Sequence, residues 1–180
     1  PILNVCAEHK NATSASARRD DVGLKSVVFM AKGARVMLTM NTWTKAGLVN
    51  GAMGEVVGFH FAADQGSSGA GASGGGTNHK PLAILVRFPK YTGPRFPGLP
   101  DTDEFRQVLP ITAKTVHFNK SGTACWRTQF PLALAWAVTI HKSQGMTIGP
   151  GEVWERMIVD LGNRELSTGL TFVALSRARS

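Results

Sequence analysis

The stretch Thr139-Ile140-His141-Lys142-Ser143-Gln144-Gly145 puts five hydrogen-bonding side chains into six consecutive positions, directly after an apolar run. An ammonium, an imidazole, two hydroxyls and an amide so close together can hold phosphate oxygens, and Gly145 lets a backbone approach closely. A solvated helix terminus has the same composition, and side-chain chemistry alone does not choose between the two. His141 has no second metal ligand at a useful spacing, and Cys6 and Cys125 stand far apart, so no metal site is expected. Near the end of the chain, Val173-Ala174-Leu175-Ser176-Arg177 sets a guanidinium behind apolar residues that would aim it from a packed face. The plainer reading is a surface arginine on a terminal helix.

The elements that would carry these residues differ along the chain. From Leu132 onward, Leu132, Ala135, Trp136, Thr139 and Ile140 fall on one face at helical spacing. That spacing predicts a helix ending near Gln144, with Gly145 left-handed behind it. Met157 to Leu161 predicts a short buried strand, and Ser167 or Thr168 a cap for a last helix carrying Leu170, Val173, Ala174 and Arg177. Such alternation of strand and helix predicts a parallel α/β sheet. Upstream the pattern is different. Ala34 to Met40 alternates with the two-residue period of a strand, Asn50-Gly51 is a turn dipeptide, and further strands are expected at 55–61, 82–88, 107–111 and 124–130. Short strands parted by Gly and Pro turns predict a small, bent sheet or barrel inserted into the α/β part. Residues 1–33 run apolar, polar and apolar again without a clear period.

Between Ala62 and Lys80 a Gly, Ser and Ala tract has almost no apolar anchor and is expected to be a mobile loop. Its GxGxxG (Gly69, Gly71, Gly74) and GxSxG (Gly71 to Gly75) matches lack the strand and helix that a dinucleotide fingerprint or nucleophile elbow needs.

Composition narrows the partners. The 180 residues, 43% hydrophobic, suffice for one sizeable core or one core with a small satellite. Lys and Arg total 20 against 12 Asp and Glu, a charge of +8 that suits a polyanion, although dispersed basic residues also serve solubility. Trp43 and Asn50 open the β-rich part, where an indole stacks on bases without sequence preference or packs beneath the sheet instead. Lys45, Lys80, Lys90 and Arg95 are scattered and read as solvated surface. Two distant cysteines fit a reducing compartment rather than a disulfide framework. With neither a bilayer-length apolar run nor a signal-peptide core, the expectation is an intracellular protein. The sequons at Asn11 and Asn119 therefore carry no weight. A chain that opens on Pro1 reads as an excerpt of something longer.

Several longer motifs now combine. Gln129-Phe130-Pro131-Leu132 through Trp136, followed by Thr139 to Thr147, resembles motif V of superfamily 1B helicases, and Val173 to Arg177 resembles their motif VI. Lys32-Gly33-Ala34-Arg35-Val36-Met37-Leu38, Asn41-Thr42-Trp43 and Gly47-Leu48-Val49-Asn50-Gly51 resemble the petite-integration-frequency, RecD-like branch, so the similarity spans nearly the whole chain. The resemblance implies an α/β second RecA-like domain that begins in 1–33 and resumes over 131–180. A Src-homology-3-like barrel at 34–130, with its mobile loop at 62–80, would interrupt it.

The resemblance further implies that Arg177 is an arginine finger, and that Gln144 and Gly145 lie with it toward the nucleotide. Thr139, His141, Lys142 and Ser143 would contact single-stranded DNA, with Trp43 and Asn50 as further contacts. ATP and Mg2+ would be shared with a first RecA-like domain, since no GxxxxGK[ST] cradle occurs in this sequence. The implied activity is 5′-to-3′ unwinding of duplex or forked DNA in the nucleus or mitochondrion, with this chain alone inactive. The other reading is a non-catalytic DNA-binding or protein-docking module.

Overall fold

The computed structural model describes residues 2–18, 22–62, 80–150, 154–162 and 167–179. They divide into two compact units, Pro1–Ala135 and Trp136–Ser180.

The first unit is built from short strands. It starts with β1 (Leu3–Cys6), β2 (Glu8–His9), a one-turn helix α1 (Ala12–Ala15) and β3 (Val27–Met30). Asn11, half of a discounted sequon, is the N-cap of α1, and its Oδ1 accepts the Ser14 N–H at 2.8 Å. Then come β4 (Arg35–Leu38), β5 (Met53–His60), β6 (Ala83–Arg87), β7 (Val108–Thr112), β8 (Lys114–Lys120), β9 (Thr123–Gln129) and β10 (Leu132–Leu134). They form a five-stranded sheet in the order β10-β4-β5-β6-β7, a β1-β3 pair, and a three-stranded β2-β9-β8 sheet. Val36, Leu38, Val56, Ile84, Val86, Ile111 and Leu132 build the main core, joined by Val5, Val28 and Met30 from the β1-β3 pair. The strands expected at 34–40, 55–61, 82–88, 107–111 and 124–130 are all present within a few residues. Gly51 takes φ +93° in the expected turn, and its N–H donates to the Leu38 carbonyl.

The helix expected from Leu132 to Gln144 is not what forms. Leu132–Leu134 is a strand that pairs with Leu38 to Val36 of β4. The pairing runs on past both ends: the Thr39 N–H donates to the Pro131 carbonyl and the Ala135 N–H to the Arg35 carbonyl, both at 2.9 Å. Leu132 and Ala133 are both buried. A short apolar run fits either period, and here the ladder and two-sided burial outweigh the helical spacing.

Two buried polar residues of β9 tie neighbouring segments to its sheet. Arg127 is fully buried, and its guanidinium donates to the carbonyls of Ser14, Ala17 and Leu24, each at 2.8 Å. Gln129 donates to the Val5 carbonyl at 2.9 Å and accepts the Phe130 N–H.

The second unit holds α2 (Ile140–Ser143) and α3 (Leu170–Leu175), which pack on each other. The parallel sheet expected here is not formed among the described residues. Among the described residues every ladder between strands is antiparallel, and the one parallel pairing is a bridge from Ile148 to Ala178. Met157 to Leu161 is not a strand, and Ile158 is 99% exposed. A strand needs a ladder partner for its backbone groups, and none lies beside this run among the described residues. The cap of α3 is Gly169 at φ +87°, not the side chain of Ser167 or Thr168. No helix among the described residues is long and apolar enough to cross a membrane. Most of the glycine tract, residues 63–79, lies outside the described residues.

Candidate nucleic-acid and nucleotide site

The polar cluster sits on one helical turn. Thr139 is the N-cap of α2 in an extended conformation, and its carbonyl accepts the N–H groups of Lys142 and Ser143 at 2.9 and 3.2 Å. Thr139, His141, Lys142 and Gln144 are exposed. Ser143 is different: it is buried, and its hydroxyl donates to the Ile140 carbonyl at 2.7 Å. Its oxygen is thereby held against its own helix, which makes Ser143 a support for the turn rather than part of its exposed rim. Gln144 closes the helix, and Gly145 follows at φ +81°, the left-handed conformation expected. Among the described residues nothing lies within 4 Å of where a Cβ on Gly145 would stand.

Arg177 faces the same turn from the end of α3, one residue beyond the Ser176 C-cap rather than on the helix. Its Nε donates to the Val173 carbonyl at 3.2 Å and its Nη2 to the Ser176 hydroxyl at 3.0 Å. Its Nη1 reaches the Met146 carbonyl at 3.5 Å. The backbones of the two segments are also joined. Ile148 N–H donates to the Arg177 carbonyl at 2.9 Å, and Arg179 N–H donates to the Ile148 carbonyl at 2.8 Å. Arg177 thus meets the segment just after Gln144 and Gly145 at the Met146 carbonyl, and Thr139, His141 and Lys142 lie on the single turn of α2 before it.

Two contributors were not singled out in the sequence. Met146 acts through its carbonyl, which no residue type announces. Gly149 sits at φ +156°, and a Cβ there would come 2.7 Å from the Arg179 carbonyl, so only glycine permits this approach. The run Gly149-Pro150-Gly151 was its only signal.

Trp43 and Asn50 belong to the first unit. The Trp43 ring meets Tyr91 edge-on, centroids 6.2 Å apart, and is 43% exposed, so it packs and shows a free face at once. Asn50 is exposed, and its backbone N–H donates to Asn41 Oδ1 at 2.7 Å. Among the described residues no cluster of three or more His, Cys, Asp or Glu side chains could hold a metal ion.

No family model matches the chain. Individual relatives do. The ATP-dependent DNA helicase PIF1 of Homo sapiens is 35% identical over 174 residues, which is 97% of this chain and 21% of the human protein. The Mus musculus PIF1 helicase is 37% identical over 86% of the chain, and the Pif1 helicase of Psychrobacter is 31% identical over 82%. The chain belongs to the Pif1 helicase family. Solved Pif1 structures agree: Candida albicans Pif1 aligns with 98% of the chain at a TM-score of 0.63 and 25% identity, covering 37% of that protein. A structure of two coordinating Pif1 helicases unwinding forked double-stranded DNA aligns with 99% of the chain at a TM-score of 0.59 and 26% identity, covering 31% of that chain. The chain spans roughly a fifth of the length of the curated Pif1 relatives it matches, 18% to 24% for those named above.

Proposed function

We propose that this chain is the part of an ATP-dependent, 5′-to-3′ DNA helicase that supplies the arginine finger and much of the single-strand grip. In this reading it is the second RecA-like domain with a Src-homology-3-like barrel inserted over 34–130. The observation that carries it is the contact of Arg177 with the turn behind Gln144 and Gly145, backed by the Ile148–Ala178 bridge. This arrangement places a cation beside an open, left-handed backbone corner, which suits the outer phosphate of a nucleotide. Bound ATP would supply the phosphoryl group whose transfer drives the motor. Arg177 would hold charge on that group, and Gln144 would link the same corner to the strand bound at Thr139, His141 and Lys142. Trp43 and Asn50 would add contacts from the first unit.

The phosphate cradle and its hydroxyl for Mg2+ would come from a first RecA-like domain, because this sequence has no GxxxxGK[ST]. Mg2+ would therefore be held outside this chain. Forked and single-stranded DNA are the substrates this reading implies. A binding module without catalysis is the competing account, and the basic charge alone would suit it. The isolated 180-residue chain tests the reading. Single-stranded DNA should bind with an affinity that falls steeply with salt, and a pure preparation should show no DNA-stimulated ATP turnover. Turnover by this chain alone, or binding indifferent to salt, would overturn it.

A further inference from the structure

The outer face of the β2-β9-β8 sheet has a composition that its fold does not require. Alternation along β9 sends Cys125, Arg127 and Gln129 inward, where all three are buried, and turns Ala124, Trp126 and Thr128 outward. On β8, Val116 and Phe118 pack inward against Leu24 and its neighbours, while Thr115, His117 and Asn119 are exposed. The register sets His117 directly opposite Trp126, and Thr115 opposite Thr128 with their hydroxyls 2.7 Å apart. Opposed residues on one face have Cβ atoms about 5 Å apart, so the imidazole and the indole are neighbours. Along the β2 side, Lys10 donates its backbone N–H to the Trp126 carbonyl, and Lys80 pairs with Glu8 at 2.9 Å.

We infer that this face is a second contact for single-stranded nucleic acid, with Trp126 and His117 as a stacking platform for bases. A face built to dock another protein would carry a contiguous apolar centre. Here the outward residues of β8 and β9 are Thr115, His117, Asn119, Ala124, Trp126 and Thr128, so Trp126 is the one large apolar side chain among them. Every base has a ring face that stacks on such a platform, and Thr115, Asn119 and Thr128 offer hydrogen bonds to bases or sugars. Lys10 and Lys80 outnumber Glu8 beside it, in a chain whose formal charge is +8, which favours a polyanionic strand. This face belongs to a sheet of the first unit, whereas Lys142 lies on α2 of the second, so the two contacts are independent.

The test measures fluorescence anisotropy of the 180-residue chain with labelled oligo-dT and with an abasic strand of equal length. The abasic strand keeps the phosphates and lacks the rings. Trp126→Leu and His117→Ala should each weaken oligo-dT binding about fivefold or more while leaving abasic binding unchanged. Lys142→Ala should weaken both strands alike. Should Trp126→Leu lower the thermal midpoint sharply, Trp126→Phe keeps a ring and Thr115→Glu adds a repelling charge at an exposed position. Trp126→Phe should then bind close to wild type and Thr115→Glu weakly. Folded Trp126→Leu and His117→Ala chains that bind oligo-dT as well as wild type would overturn the platform and leave the Lys142 reading standing. Loss at Trp126 with none at Lys142 would do the reverse. Self-association that Trp126→Leu abolishes, without any change in oligonucleotide binding, would identify the face as a protein interface and overturn the inference.

Discussion

At Gly149 one added methyl group would meet the Arg179 carbonyl at 2.7 Å, and the left-handed backbone would be strained as well. Gly149→Ala should therefore push apart the bridge that joins Ile148 to the Arg177 segment. ATP turnover by the complete protein should fall about tenfold or more, with the first unit still folded by circular dichroism. Unchanged turnover would mean that the bridge does not align Arg177. His9 gives a pH signature. Its Nδ1 accepts the Arg127 Nε–H at 3.4 Å, and burial first, then the charge of Arg127, hold its pKa below the usual 6.5. As pH falls, the unfolded chain takes up this proton before the folded one. The stability contribution is thus complete above the unfolded value and declines as pH drops through that value toward the lowered folded one. Between roughly pH 7 and pH 5 the thermal midpoint of the wild type should fall more steeply than that of His9→Gln. Parallel declines would contradict this. The left-handed Gly145 and the helix end at Gln144 were legible in the sequence because both are local. The grip of Arg127 was not, because its acceptors Ser14, Ala17 and Leu24 lie more than a hundred residues away.

Among the elements, strands bounded by Gly, Pro and Asn were readable, since turn residues and two-residue alternation are both short-range signals. β10 was not, because Leu132-Ala133-Leu134 becomes a strand only through pairing with β4, and nothing nearby in the sequence encodes that partner. The same limit explains Met157 to Leu161, whose apolar pattern suits a strand although no ladder forms beside it among the described residues. β8 also escaped notice, although Val116 and Phe118 alternate with the polar Thr115, His117 and Asn119; with two apolar residues it is a short signal beside the longer strands. The contact between β5 and β6 depends on Gly54, where a Cβ would lie 2.6 Å from the Arg87 carbonyl and 2.7 Å from Val86 Cγ1. Gly54→Ala should cost about 1–3 kcal/mol through overpacking, read as a lower urea midpoint at unchanged slope. A midpoint within error of wild type would show that the two strands yield without cost.

For the whole molecule, family membership was legible because long motifs recur in order along nearly the whole chain, and the Pif1 relatives and structures bear that out. The parallel sheet expected from the alternation of strand and helix beyond Leu132 is absent among the described residues, whose ladders are antiparallel. If Arg177 serves chemistry and Lys142 grip, as proposed, steady-state ATP turnover of two variants of the complete protein separates the two roles. Arg177→Ala should lower kcat by roughly 10³ or more with DNA affinity little changed, as loss of an arginine finger does. Lys142→Ala should weaken single-strand binding and reduce its salt slope by about one unit, with turnover recovering at high DNA concentration. Normal turnover in Arg177→Ala together with lost DNA binding would rule out the finger and make this chain a binding module.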